Sequence, residues 1–245
     1  MAHDIYIRHG EDKHTIGEKV GDDLLELTPR GYEEARQISS TLRQKRIDFS
    51  ETTILTKNNV RSVSTAIIAL MSYLTNGEEI AASLPLMQQR RLFLTKGLGY
   101  TKFSDDEQDI RQKFDTAYTR GRTMEFYVRE SDVLLKRNPR LSTYSTLAGR
   151  VAALALAEPT YKQRLICANE FFWPSFRAKS LELTKGLSVR DDYVEWYMEN
   201  KELNPAARLD IATIIKLGDV YSVQDDYGHS EVREREIQYL SYGAQ

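Results

Sequence analysis

Apolar and polar positions alternate with two periods along the chain, and the switches between them outline its elements. Asp4-Ile5-Tyr6-Ile7 is a short β-prone run broken at once by Arg8-His9-Gly10, which predicts a strand ending in a loop. After a polar loop, Thr28 suits a helix N-cap and Pro29 the first helical position. Tyr32, Ala35, Ile38 and Leu42 then give that helix one buried face. Thr52-Thr53-Ile54-Leu55-Thr56 predicts a second strand, and Lys57-Asn58-Asn59 opens a helix striped by Val60, Val63, Ile67, Leu70 and Leu74. A short strand is expected near Glu79–Leu86. Residues 92–138 are rich in charge and tyrosine, with helical stretches around Asp106–Tyr118 and Glu125–Lys136. A further amphipathic helix carries Leu147, Val151 and Leu154, and Arg164-Leu165-Ile166-Cys167-Ala168 reads as a buried strand followed by a helix from about Pro174. Strands are expected at Ile211–Leu217 and Asp219–Val223, before a charged tail.

Strands alternating with helices imply an α/β fold, a three-layer α/β/α arrangement around a mostly parallel sheet. Sites in such folds form at the C-terminal ends of strands. Arg8-His9 and Asn169-Glu170 fall at such ends, and Arg61 lies just beyond a third. The expected organisation is a single domain over 1–245 with a helical cap inserted at about 92–138.

Composition narrows the picture. The 245 residues, 41% hydrophobic and 29% charged, suffice for one substantial core. Lys and Arg, 34 together, nearly balance 36 Asp and Glu, which gives no case for a nucleic-acid surface. With one cysteine, Cys167, an internal disulfide is impossible, and a cytoplasmic setting is the simplest expectation. No apolar run approaches the ~20 residues that span a bilayer, so no membrane partner is expected. The four histidines lack metal-ligand spacing, and neither a metal nor another cofactor is implied.

The chemistry concentrates around His9. A neutral imidazole can attack phosphorus, the planar Arg8 guanidinium matches phosphate oxygens, and Gly10 permits close backbone approach. A surface histidine in a turn is the plainer alternative. Three features in order weigh against it: Arg-His-Gly after the first strand, Leu27-Thr28-Pro29-Arg30-Gly31-Tyr32-Glu33-Glu34-Ala35 opening the next helix, and Arg61 within Thr56–Ala66.

Together these resemble the histidine phosphatase superfamily, which includes the cofactor-dependent phosphoglycerate mutases. Its members carry Arg-His-Gly, then Leu-Thr-x-x-Gly-x-x-Gln-Ala, then Ser-Pro-Leu-x-Arg-Ala-x-Gln-Thr-Ala. The resemblance is dense over 4–70 and looser at 83–90, 142–172 and 205–217. It implies that His9 forms a phosphohistidine and that Arg8 and Arg61 clamp the phosphoryl group.

Two positions depart from that pattern. Asn169 stands where the family has a second histidine; its amide can donate a hydrogen bond but brings no charge. Gln88 or Gln89 occupies the position of the mutase branch's acidic residue, and a glutamine cannot act as a general acid. Glu170, directly after Asn169, matches the proton donor of the acid phosphatase branch, although it can equally cap the helix that follows. Glu11 can orient Arg8 or stand in solvent, while Lys13 or Thr15 can contact phosphate; His3, His14 and His229 carry no specific expectation. Phe171-Phe172-Trp173 is either core or the wall of an apolar pocket. The expected function is hydrolysis of a small phosphate monoester through His9. The alternatives are an impaired pseudophosphatase that binds phosphate or a partner, and a site reused for other chemistry. Oligomeric state is not read from the sequence.

Overall fold

Alternation in the first strand sets the architecture. Ile5 and Ile7 leave one face of β1 (His3–Arg8), where they meet Ile54, Leu165, Cys167 and Ile211 from other strands in one apolar cluster. The computed structural model describes residues 3–12, 27–44, 52–57, 59–74, 92–95, 108–134, 142–157, 163–168, 171–204 and 211–244. The chain divides into two compact units, one drawn from 1–99, 158–169 and 209–216, the other from 100–157, 170–208 and 217–245.

In the first unit, β2 (Thr52–Lys57), β3 (Leu92–Thr95), β4 (Gln163–Ala168) and β5 (Ile211–Leu217) join β1 in the order β3-β2-β4-β1-β5. β3 with β2, β2 with β4 and β4 with β1 are parallel; β5 runs antiparallel to β1. Arg8 pairs with Ala168 and Thr56 with Cys167, so the C-terminal ends of β1, β2 and β4 lie level. α1 (Pro29–Gln44) and α2 (Val60–Leu74) close over this sheet face through Ile38, Leu42, Ala66, Ala69 and Leu70. At about 25 cal/mol per Å², such burial is the main force holding helices to sheet.

Several expectations need correction. Tyr32 is 44% exposed; the buried side of α1 is Gly31, Ala35, Ile38, Ser39 and Leu42, because close packing at the helix start demands a glycine there. α2 does not begin at Lys57, which still belongs to β2. Asn59 caps the helix instead, its Oδ1 accepting from the Ser62 N–H at 3.0 Å. Val60 is exposed and Val63 and Ile67 are half-buried, while Ser62, Thr65, Ala66 and Ala69 face inward beside Leu70. Small residues let α2 approach the sheet, and a stripe drawn through its largest apolar residues is rotated off the true face. The stretch expected to start a helical insert opens with a strand, β3. The strand expected near Glu79–Leu86 lies outside the described residues.

The second unit is mostly helical: α3 (Gln108–Thr119), α4 (Thr123–Phe126) continuing through a π-helical Tyr127–Ser131 into Asp132–Leu134, α5 (Tyr144–Leu156), α6 (Phe172–Lys185) and α7 (Leu187–Tyr197). Met124, Tyr144, Ala178, Leu181, Tyr193 and Tyr197 form its core. Glu202 caps α4, accepting from the backbone N–H of Thr123 at 2.8 Å and Met124 at 2.7 Å. The expected charged tail is in fact folded. β6 (Val220–Asp225) turns into β7 (Gly228–Arg233), and α8 (Glu234–Ser241) follows. Asp225 Oδ1 accepts from the N–H of Tyr227 at 3.1 Å and Gly228 at 3.2 Å, and Gly228 takes a φ of 134° that favours glycine. Glu231 and Arg233 point outward between buried Ser230 and Val232, so charge hides the period-two pattern from composition.

Candidate active site

The site grows from the loop that leaves β1. Gly10 donates its N–H to Thr65 Oγ1 at 3.0 Å, and Thr65 in turn donates to the Arg61 carbonyl at 2.7 Å, so α2 holds the loop. Helix α1 holds it from the other side. Thr28 caps α1 by accepting from the Gly31 N–H at 3.1 Å, and its N–H donates to the Glu11 carbonyl at 3.0 Å. A Cβ on Gly10 would collide with the Gly31 carbonyl, and one on Gly31 with the Glu11 carbonyl. The two motifs are therefore one packed unit, with a glycine from each at the point of contact.

His9 is 9% exposed, and its Nδ1 lies 2.9 Å from the Gly10 carbonyl oxygen. A carbonyl only accepts, so Nδ1 carries the proton and Nε2 keeps its lone pair. Burial lowers the ring's pKa to about 3, and the charges of Arg61 and Arg8 push the same way; Asp12 and the Gly10 carbonyl oppose them. The ring is neutral at pH 7.

Arg61, in the first turn of α2, is buried and ion-paired with Asp12, whose own side chain is fully buried. The same Asp12 oxygen lies 3.7 Å from His9 Nδ1. Arg61 Nε is buried and makes no hydrogen bond among the described residues. Lys57, at the end of β2, has its pKa lowered by burial and by Arg61, which adds another cation close by. The loop's second carboxylate serves a different purpose. Glu11 accepts from Thr28 Oγ1 at 2.7 Å and lies 3.8 Å from Arg30, docking the loop onto α1. Glu34, at the family motif's glutamine position, accepts from the Glu11 N–H at 2.8 Å.

Of the residues singled out in the sequence, His9 and Arg61 meet at Asp12 and the charge of Arg8 acts on the ring, whereas Glu11 docks the loop onto α1; Asn169, Glu170, Gln88, Gln89, Lys13, His14 and Thr15 lie outside the described residues. Among the described residues no group of three or more His, Cys, Asp or Glu side chains is placed to hold a metal. Phe171, Phe172 and Trp173 are buried; Phe171 packs at a tilt against Tyr127 with ring centroids 4.8 Å apart, and the Trp173 indole donates to Asp225 at 2.9 Å. They are core. His229 is exposed on the hairpin, with its Nε2 3.0 Å from Ser222 Oγ. Asp12, Thr65 and Glu34 were not singled out. A loop aspartate and a helical threonine have no periodic signature; only their nearness to the Arg-His-Gly and Arg61 motifs marks them.

No protein-family model matches the sequence, and no curated protein matches it. Solved structures do resemble it. The protein of open reading frame Rv3214 from Mycobacterium tuberculosis is 14% identical, with a TM-score of 0.50 over 91% of this chain and 95% of that one. The fold is phosphoglycerate mutase-like. The phosphoserine phosphatase of Entamoeba histolytica is 17% identical, with a TM-score of 0.48 over 88% and 91% of the two chains. For the mycobacterial glucosyl-3-phosphoglycerate phosphatase these values are 16%, 0.48, 87% and 89%. In this fold the carboxyl ends of β1 and β2 carry Arg8, His9 and the approach to Arg61.

Proposed function

We propose that the chain is a phosphohydrolase acting on a small phosphate monoester through a phosphohistidine at His9. The observation that carries this reading is the Nδ1–Gly10 hydrogen bond, which leaves the Nε2 lone pair free on a neutral ring that feels the charges of Arg61 and Arg8. Nε2 attacks phosphorus while the ester oxygen leaves, and the two guanidiniums stabilise the charge spread over the phosphoryl oxygens. Glu170 is the proposed donor of the proton that the leaving oxygen takes up, and Asn169 an added hydrogen-bond donor to the phosphoryl group. Water then attacks phosphorus, gives its proton to the Glu170 carboxylate, and displaces the ring, which returns to its starting state. Gln88 is assigned a supporting place near the leaving group, where it can donate a hydrogen bond but no proton. Glu11 supports the site by docking the loop.

The pairing of Arg61 with Asp12 favours a second reading, a phosphate-binding pseudophosphatase, because an internal anion already sits on the clamp. The two separate on p-nitrophenyl phosphate and a panel of phosphorylated metabolites between pH 5 and 8. Hydrolysis that vanishes in His9→Ala, with an acid-labile phosphoenzyme trapped in the wild type, is the expected result. Turnover no higher than that of His9→Ala on every substrate, with phosphate still raising the melting temperature, would establish the pseudophosphatase instead.

A further inference from the structure

Asp12 is the feature of this site that the phosphatase reading leaves unexplained. Its carboxylate is fully buried, its backbone is pinned by a β-bridge to Leu27, and one oxygen serves both Arg61 and the proton-bearing side of the His9 ring. A buried carboxylate is costly unless its partners need it. Among the described residues, the charges that act on the ring are those of Arg8, Arg61 and Asp12, with Lys57 next to Arg61. Cations outnumber the carboxylate within this group, so together they favour an anion even with Asp12 ionised.

We propose that Asp12 is a positioning residue with two opposed effects: it occupies Arg61 in the empty site, and it stabilises the cationic ring that His9 becomes on phosphorylation. The proposal rests on His9 being the nucleophile. When the P–Nε2 bond forms and the ester P–O bond breaks, the ring keeps its Nδ1 proton and gains a positive charge; the electron pair of the broken bond leaves on the ester oxygen, which is protonated by Glu170. When water attacks, its proton passes to the Glu170 carboxylate, the electron pair of the breaking P–N bond returns to Nε2, and the ring's charge disappears. The Asp12 charge beside Nδ1 favours the charged stage. The Gly10 carbonyl fixes the tautomer, and Asp12 supplies the counter-charge that a neutral carbonyl lacks. The cost falls on binding: an incoming phosphate must share Arg61 with a carboxylate.

A structural salt bridge would weaken binding and chemistry together when broken, whereas this arrangement moves them in opposite directions. The test compares wild type with Asp12→Asn and Asp12→Thr, reading inorganic phosphate and vanadate affinity by calorimetry and the rate of phosphohistidine formation by rapid quench. Both variants should bind phosphate several-fold more tightly, since one competing charge is gone. They should phosphorylate roughly 10- to 100-fold more slowly, less than the ~10⁴-fold loss for a triad aspartate because the Gly10 carbonyl still holds the tautomer. Parallel loss of affinity and rate, or no change in either, overturns the proposal. Imidazole ¹⁵N shifts of the wild type give an arm independent of variant folding: the proton on Nδ1 supports the proposal and a proton on Nε2 overturns it. If wild type forms no phosphohistidine, the nucleophile reading fails first. The proposal falls with it, whereas a wild type that turns over beside indifferent Asp12 variants sinks the proposal alone.

Discussion

His9 changes its protonation between the folded and unfolded states, and this couples the ring to stability. Its pKa falls from 6.5 to about 3 on folding, chiefly through burial, so between those values the unfolded chain holds more protons at this ring. The contribution is fully present above pH 6.5 and lost as the pH falls toward 3. The melting temperature of wild type should therefore drop more steeply from pH 7 to pH 4 than that of His9→Gln. Asp4 and Asp225, both raised by burial, slope the opposite way, but they are common to both proteins and cancel in the comparison. Thr65→Val tests the neighbouring link. It strips the buried Gly10 N–H of its acceptor and should cost about 1–3 kcal/mol in urea denaturation while slowing turnover. Arg8, His9 and Arg61 are legible because each stands at or just beyond the end of a strand, in a recognisable motif. Asp12 was not, because a carboxylate in a polar loop looks the same whether it is solvated or buried under an arginine.

Two helix starts fix the candidate site, and they differ in how visible they were. The Thr28 cap and Pro29 mark α1 in the sequence, and the helix begins at Pro29. Gly31 is the tightest point, since any side chain there meets the Glu11 backbone. Gly31→Ala should destabilise by about 1–3 kcal/mol through overpacking and lower phosphate affinity by shifting the His9 loop, which chemical denaturation and calorimetry would register. The start of α2 lies three residues beyond Lys57, at Val60, because Lys57-Asn58-Asn59 has a helix-compatible polarity that says nothing about where β2 ends. The faces of both helices depart from the stripes of large apolar residues for a common reason. Tyr32 and Val60 are exposed, while Gly31, Ser62 and Thr65 are buried at the close approaches. The hairpin and α8 escaped notice because alternating charges on a half-solvated strand resemble a polar tail.

At the scale of the whole molecule, the sheet class was readable and the second unit's scaffolding was not. Arg177 on α6 is 1% exposed and lies 3.3 Å from Asp225, with further donations to the Gly228 carbonyl at 2.9 Å and to Ser230. Nothing in the spacing of residues 177 and 225 announces that pair. Asp225→Asn leaves the Arg177 charge uncompensated and should cost about 3–5 kcal/mol, whereas replacing both partners with apolar residues of similar size should cost far less. Thermal denaturation of the single and double variants would separate the cases. In the first unit, the sole cysteine is fully buried in β4, and burial raises its pKa to about 12. An alkylating reagent reacts with the thiolate, so the native protein should resist it until β4 becomes accessible. Because β4 lies between β1 and β2, the labelling rate at Cys167 times the opening of the strands that end at the His9 loop and the approach to Arg61. One natural thiol thus acts as a clock for the motions of the sheet, readable by mass spectrometry without adding any label to the chain.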